Sequence, residues 1–239
     1  MTSASGSSDF GKAYFDRLGS VAPYTLPCVL PYFETQASRI KTLLHPKRVL
    51  DLGCAKGFLV LAFRKIGIES YGVDVSEYAL SEAPQEVKPF LCLADLNCDD
   101  LPFDDHSFDL IVATGVLEYL HNDAHAISEV KRLMTKDGTF LLEQDFTRPK
   151  TDKLRINVHG RGFWIRRLES NDFVYMTQIS RHMLSLYARE RLERELKTKR
   201  WFRPAKLISR IPRIGKWVLI KSIEQVYGIL FFKRASGIP

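Results

Sequence analysis

The stretch Arg48-Val49-Leu50-Asp51-Leu52-Gly53-Cys54-Ala55-Lys56-Gly57 constrains the fold more than any other part of the chain, once it is set beside Tyr71-Gly72-Val73-Asp74. An apolar strand runs into a glycine-punctuated turn, a helix follows, and a second apolar strand ends in an acid. This order of parts builds a nucleotide pocket. Small residues let the backbone approach a ligand, and the first turn of the helix offers unpaired N–H groups to an anion. The acid after the second strand can accept hydrogen bonds from ribose hydroxyls. The glycine spacing, G-x-A-x-G, departs from the G-x-G-x-x-G dinucleotide fingerprint.

Around this core the pattern alternates. Residues 9–46 read as a helical preface carrying Phe10, Tyr14, Phe15, Tyr24, Tyr32 and Phe33. Pro23, Pro27 and Pro31 break it up, and a helix resumes from Tyr32 to Leu44. Strands are expected at Val49–Leu52, Ser70–Val73, Pro89–Leu93, Phe108–Ala113 and Thr139–Gln144. Helices are expected at Phe58–Ile66, from the N-cap Ser76 to Ala83, and at Asp123–Met134 with a stop near Gly138. Continuous Val/Ile/Leu runs point to strands buried on both faces of a parallel sheet, and strand–helix alternation gives an α/β doubly wound fold with right-handed crossovers. Beyond Asp145 the pattern loosens. Thr147 to Asp172 reads as a basic loop region, Arg181 to Lys199 as a charged amphipathic helix, Trp201-Phe202 as a short strand and Ile229–Lys233 as the final one.

A composition of 45% hydrophobic and 26% charged residues over 239 positions suits a globular chain with a sizeable core. No apolar run approaches the roughly 18 residues of a membrane-spanning helix. Met1 to Ser8 is small and polar, reading as a loose tail without the character of a signal peptide. Cys28, Cys54, Cys92 and Cys98 show no metal-ligand spacing, so the expectation is reduced thiols, no metal and a cytoplasmic protein. The net charge of +7 divides into −8 over residues 1–147 and +15 over residues 148–239. A basic last third suits an anionic partner, and equally a solvated face beside an acidic domain.

The motifs in sequence resemble the class I S-adenosylmethionine-dependent methyltransferases. Val49 to Gly57 is similar to that family's first motif, with Ala55 in place of the commoner middle glycine. Asp74 matches the acid that holds the cofactor's ribose, and Ala94-Asp95-Leu96 the segment that meets the adenine. Leu101-Pro102-Phe103-Asp104-Asp105-His106-Ser107-Phe108-Asp109-Leu110-Ile111 resembles the family's approach to its fourth strand. Gly115-Val116-Leu117-Glu118-Tyr119-Leu120 resembles the segment after that strand, although the family more often has His at the positions of Gly115 and Tyr119. The resemblance covers roughly residues 45–145 well. It implies a Rossmann-like, seven-stranded, mostly parallel sheet with helices on both faces and the last strand antiparallel. It also implies a division into an N-terminal helical lid over 1–46 and a methyltransferase domain over 47–239, with a variable basic substrate region over 147–228.

The same resemblance implies S-adenosylmethionine as cofactor and S-adenosylhomocysteine as product. Backbone groups of Gly53, Cys54, Ala55 and Gly57 would approach the methionyl part, and Asp51 would hold its ammonium. Asp74 and Val75 would border the ribose, Asp95 and Leu96 the adenine, Thr114 and Gly115 the transferring methyl, with Tyr14 and Tyr24 reaching in from the lid. Glu118 reads as a local pair or cap, and His106, His121 and His125 as surface residues. Methyl transfer rests mostly on positioning, with a base needed only where the acceptor loses a proton. Asp145, His159 and His182 are the base candidates, each with an alternative reading as a structural or surface residue.

The expected acceptor is a small or saccharide-like molecule, lipid-linked in one version. The apolar and basic segment 206–226, around Trp217, suits either a crossover packed on the sheet or peripheral contact with an anionic membrane. An RNA methyltransferase, suggested by the basic last third and by Phe163 and Trp164 among arginines, and a non-catalytic cofactor-binding protein are the alternatives. Acceptor atom and oligomeric state are not readable from these residues.

Overall fold

The computed structural model describes residues 9–18, 24–146, 153–186 and 227–235. The elements run α1 (Lys12–Leu18), α2 (Leu26–Leu44), β1 (Arg48–Leu52), α3 (Phe58–Lys65), β2 (Glu69–Asp74), α4 (Glu77–Ser81), β3 (Leu91–Leu93) and β4 (Phe108–Thr114). They continue with α5 (Asp123–Leu133), β5 (Met134–Asp145), α6 (Arg161–Glu169), β6 (Phe173–Tyr175) and β7 (Tyr227–Arg234). The strands form one sheet in the order β3-β2-β1-β4-β5-β7-β6. β1 pairs in parallel with β2 and β4, β2 with β3 and β4 with β5. β7 runs antiparallel between β5 and β6. The seven-stranded, doubly wound sheet with an antiparallel last strand is therefore present.

Side chains alternate across each strand, and the sequence is apolar at both parities because helices cover both faces. Leu50, Leu52, Ile111, Ala113, Phe140, Leu142 and Phe232 face α5 and α6, where Ile127, Val130, Trp164 and Leu168 meet them. Val49, Leu110, Val112, Leu141, Ile229 and Phe231 face the other way, against Ala37 and Ile40 of α2, Leu59 and Phe63 of α3, and Met183 of the helical stretch over 177–186. Two helix starts carry side-chain caps: Ser76 Oγ accepts from the Ala79 N–H of α4 at 3.0 Å, and Asn122 Oδ1 from the His125 N–H of α5 at 3.4 Å.

The structure corrects several boundaries. Pro27 and Pro31 do not break the second helix, which runs unbroken through both. Pro27 occupies the first turn, where its missing N–H would have had no intrahelical partner anyway. β3 starts at Leu91 because Pro89 sits in a single 3-10 turn over Lys88–Phe90 and has no N–H to give a ladder. α5 ends at Leu133, and Met134 already pairs with Phe108, so β5 begins before Gly138 and carries a register shift opposite Phe108 and Leu110. The region expected as a basic loop contains α6, which buries Trp164 and Leu168 at helical spacing. β6 was not expected at all; it is a three-residue edge strand. Residues 187–226, including Trp201-Phe202 and the segment 206–226, lie outside the described residues, as does the tail 1–8.

Candidate cofactor site

At the carboxyl end of β1 the chain turns by placing every second residue in the left-handed region: Gly53 at φ 66°, Ala55 at 51° and Gly57 at 69°. Glycine is required at Gly53, where a Cβ would lie 2.3 Å from Val116 Cγ2. Ala55 adopts the same region with its methyl group in place. Cys54 N–H donates to the Val73 carbonyl at 3.0 Å and Gly57 N–H to the Cys54 carbonyl at 2.8 Å, which ties the turn to the end of β2.

The acid that ends β2 is locked into this turn. Asp74 accepts from the Ala55 N–H at 2.7 Å on one oxygen and from the Ser76 N–H at 2.8 Å on the other. Burial still pushes its carboxyl above the ordinary value, against the pull of those N–H groups. A carboxylate oxygen has two acceptor sites, so each can take a further bond from a ligand hydroxyl.

Asp51 is different. It is 5% exposed, and among the described residues its carboxylate has no hydrogen-bond partner. Burial, and secondarily the charge of Asp74, push its carboxyl well above the ordinary value. A buried acid left in this condition is costly unless a cation or a donor meets it. It faces a cavity of about 440 Å³, within the roughly 300–1,000 Å³ usual for small-molecule sites.

The cavity lies beyond the carboxyl ends of the parallel strands and gathers eleven of the twelve expected cofactor residues. Those are Tyr14, Asp51, Gly53, Cys54, Ala55, Asp74, Val75, Asp95, Leu96, Thr114 and Gly115. Gly57 is not in the wall; it caps the start of α3. Asp95 accepts from the N–H and side-chain amide of Asn97 at 2.9 and 2.8 Å. Asn97 in turn accepts from the His121 and Asn122 N–H groups, joining the two loops. From the N-terminal side come Phe10, Tyr14, Phe15 and Tyr24, with Ser76 Oγ donating to the Phe10 carbonyl at 2.6 Å. Burial raises the Tyr24 hydroxyl pKa, with Asp51 the next cause. Lys56 lies over the rings of Tyr78 and Phe15, 5.5 and 5.9 Å from their centroids.

Of the base candidates, His159 and His182 are not brought into the cavity wall. His159 is exposed and stacks on Phe163, with ring centroids 3.8 Å apart. His182 is exposed on the stretch 177–186, and neither lines the cavity. Asp145 ends β5, and its side chain lies outside the described part of the structure. Glu118 pairs with Arg155 in a buried ion pair while also lining the cavity. His106 and His125 each place Nδ1 within hydrogen-bond distance of a backbone carbonyl, Met134 and Leu96 respectively, while His121 reaches the cavity wall. Reading the residues alone missed the opposite wall, made by Lys153, Leu154 and Ile156. No motif marks it; a run beginning Lys153-Leu154-Arg155-Ile156 resembles any basic loop until the fold carries it to Glu118.

A doubly wound sheet with a pinched turn after β1, an acid held at the end of β2 and, among the described residues, an unpartnered acid inside β1 make a candidate small-molecule site in an α/β domain. Residues 50–142 match the family described as "Methyltransferase domain". The uncharacterized methyltransferase YcgJ of Bacillus subtilis is 34% identical over 99 residues, covering 40% of this chain and 39% of that protein. The ubiquinone biosynthesis O-methyltransferase of Coxiella burnetii is 29% identical over 136 residues, covering 55% of this chain and 56% of that protein. The chain thus spans about two fifths to just over half the length of these curated relatives. The solved structure of YcgJ superposes with a TM-score of 0.55 at 19% identity, over 86% of this chain and 100% of that one. The [4+2]-cyclase SpnF gives 0.56 at 18% identity, over 86% and 81%, so it shares the fold. Residues 50–142 thus match a methyltransferase domain, carried on a sheet with the fold of the solved YcgJ structure.

Proposed function

We propose that this chain transfers a methyl group from S-adenosylmethionine to a small, protic acceptor, a hydroxyl-bearing or saccharide-like molecule. The carrying observation is Asp51: a buried carboxylate without a partner among the described residues, facing a cavity in which Asp74 is already fixed by Ala55 and Ser76. The residues fit the cofactor. Asp51 would meet its ammonium, the Gly53–Ala55 backbone its methionyl part, Asp74 its ribose, and Asp95 and Leu96 its adenine. When bound, the cofactor supplies a methyl carbon on a positively charged sulfur. The protein's share is orientation, holding an acceptor in line near Thr114 and Gly115. The similarity to the Coxiella ubiquinone biosynthesis O-methyltransferase supports an oxygen acceptor.

Titration calorimetry with S-adenosylmethionine and S-adenosylhomocysteine tests the cofactor, and formation of S-adenosylhomocysteine with a pool of small acceptors tests transfer. Binding without turnover would favour a second reading, a non-catalytic cofactor-binding protein. That reading draws on the absence of His159 and His182 from the described cavity wall and on a fold shared with the [4+2]-cyclase SpnF. RNase sensitivity of the active pool would indicate an RNA acceptor instead. No helix among the described residues is long and apolar enough to cross a membrane. A cytoplasmic protein touching anionic lipid through the segment 206–226 is part of the proposal, and salt-sensitive liposome flotation checks it.

A further inference from the structure

Beside the main cavity lies a second space, of about 20 Å³, between α2 and the central strands β4 and β5. That is room for about one water molecule. Phe33, Leu59 and Thr114 line both spaces, so Thr114 sits in the wall between them. The small space holds two polar groups that the cofactor site does not use. Glu143 of β5 is the register partner of Thr114 on β4, and its carboxylate accepts from the Tyr32 hydroxyl of α2 at 3.2 Å. Gln36, one turn along α2, is 6% exposed and lines the same space, and its Nε2 lies buried without a hydrogen-bond partner among the described residues. An acid, an unused donor and room for one water therefore adjoin the residue that borders the transferring methyl.

We propose that Glu143 takes up the proton that the acceptor loses, through the Thr114 hydroxyl and one water held by Gln36. This rests on the methyltransferase reading above. The acceptor oxygen gives a lone pair to the methyl carbon, and the electron pair of the methyl–sulfur bond returns to sulfur. The O–H electron pair stays on the acceptor oxygen, while its proton passes to Thr114 Oγ. Thr114 hands its own proton to the water, and the water hands one to Glu143. Glu143 then releases it to solvent before the next cycle.

The groups around Glu143 permit this. Burial pushes its carboxyl up to about 7, with the Tyr32 hydroxyl pulling the other way. An acid poised there can accept and return a proton near neutral pH. Apart from Tyr32 and Gln36 of α2, Thr114 of β4 and Glu143 itself, the described lining is apolar, contributed by α2, α3, β4, β5, β7 and the stretch 177–186. Among the described residues lining the space, Tyr32 is the one other titratable group.

The test needs no acceptor. A sulfonium placed near Thr114 favours the ionised form of Glu143, so binding S-adenosylmethionine should expel protons that the uncharged thioether does not. Calorimetry at pH 7 in two buffers of different ionisation heat reads this release. With the carboxyl at about 7, up to about half a proton is available. The decisive quantity is the difference between the two ligands that Glu143→Gln removes, since that subtracts the ligands' own amino groups and Asp51. Tyr32→Phe, which deletes a donor favouring the carboxylate, should move the pH of greatest release upward. An unchanged difference in Glu143→Gln overturns the relay, as does a Tyr32→Phe profile superimposed on that of the parent. Absence of heat with both ligands would instead overturn the cofactor reading on which the relay stands.

Discussion

Replacing Asp51 by Asn should make the free protein more stable and the cofactor complex weaker. Asp51 lies in β1 at 5% exposure, with no hydrogen-bond partner among the described residues and the charge of Asp74 nearby. A buried neutral amide without a partner costs about 1–3 kcal/mol and an unpartnered charge costs more, so the exchange should gain on the order of 1–2 kcal/mol. The pH dependence follows from the direction of the shift. The carboxyl is raised in the folded state, so the folded chain holds its proton more readily than the unfolded chain does. Wild-type stability therefore falls as pH rises from the ordinary value of 3.8 toward the raised one, and levels off beyond it. Asn does not titrate, so the advantage of Asp51→Asn should be small near pH 4 and largest near pH 8. Binding moves the other way: losing a charge-assisted bond to an ammonium costs about 1.5–3 kcal/mol, or about 10- to 150-fold in Kd. Urea unfolding at both pH values and calorimetry with S-adenosylhomocysteine at pH 7.5 measure the two halves. A variant less stable at pH 8 than the parent, with unaltered affinity, would refute the reasoning, because it would mean that Asp51 already has its partner inside the protein.

Ala55→Gly should stabilise the fold, because Ala55 sits at φ 51°. Relief of about 1–2 kcal/mol of left-handed strain exceeds the glycine's extra entropy of roughly 0.5–1 kcal/mol, so thermal unfolding should rise by a few degrees. Tyr14 and Tyr24 changed together to Ala should weaken cofactor binding by about tenfold or more, since aromatic contacts contribute about 0.5–1.5 kcal/mol each beyond burial. Calorimetry checks this, and unchanged binding would remove the lid. Arg155→Met should destabilise the fold in denaturant unfolding by about 3 kcal/mol, because it removes one member of the buried ion pair with Glu118.

The parallel core was legible because burial on both faces leaves uninterrupted apolar strands, and every strand from β1 to β5 was found, if not to the residue. What failed were readings in which a local signal competes with tertiary packing. Pro31 marks a break in isolation, yet the apolar face of α2, with Ala37 and Ile40 against the sheet, carries the helix through it. Gly160 and Gly162 read as loop, yet Trp164 and Leu168 drive α6 onto the opposite face. Asp51, Asp74 and Asp95 were visible because they fall in or just after three successive strands, which fixes their spacing. Glu143 was not, because nothing in Thr139–Gln144 distinguishes an acid beside a cavity from one in solvent until α2 places Tyr32 and Gln36 against it.

This asymmetry has a physical cause that bears on the chemistry. The cofactor half of the cavity is built from consecutive strand ends and the tight turns between them, so backbone geometry prescribes small residues and acids at fixed spacing. The rest of the cavity wall and the small space beside it are built from pieces far apart in the chain: Phe33 of α2, Thr114, Glu143 and the stretch at Lys153, Leu154 and Ile156. Those pieces need only meet in space, and no spacing rule ties them together. A fold shared with the [4+2]-cyclase SpnF makes the same point, since the sheet does not decide which bond is made. The decision falls to groups bordering Thr114. An acid balanced near neutrality there suits an acceptor that must shed a proton, whereas transfer to an aprotic atom would leave Glu143 with the cost of burial and no role in return.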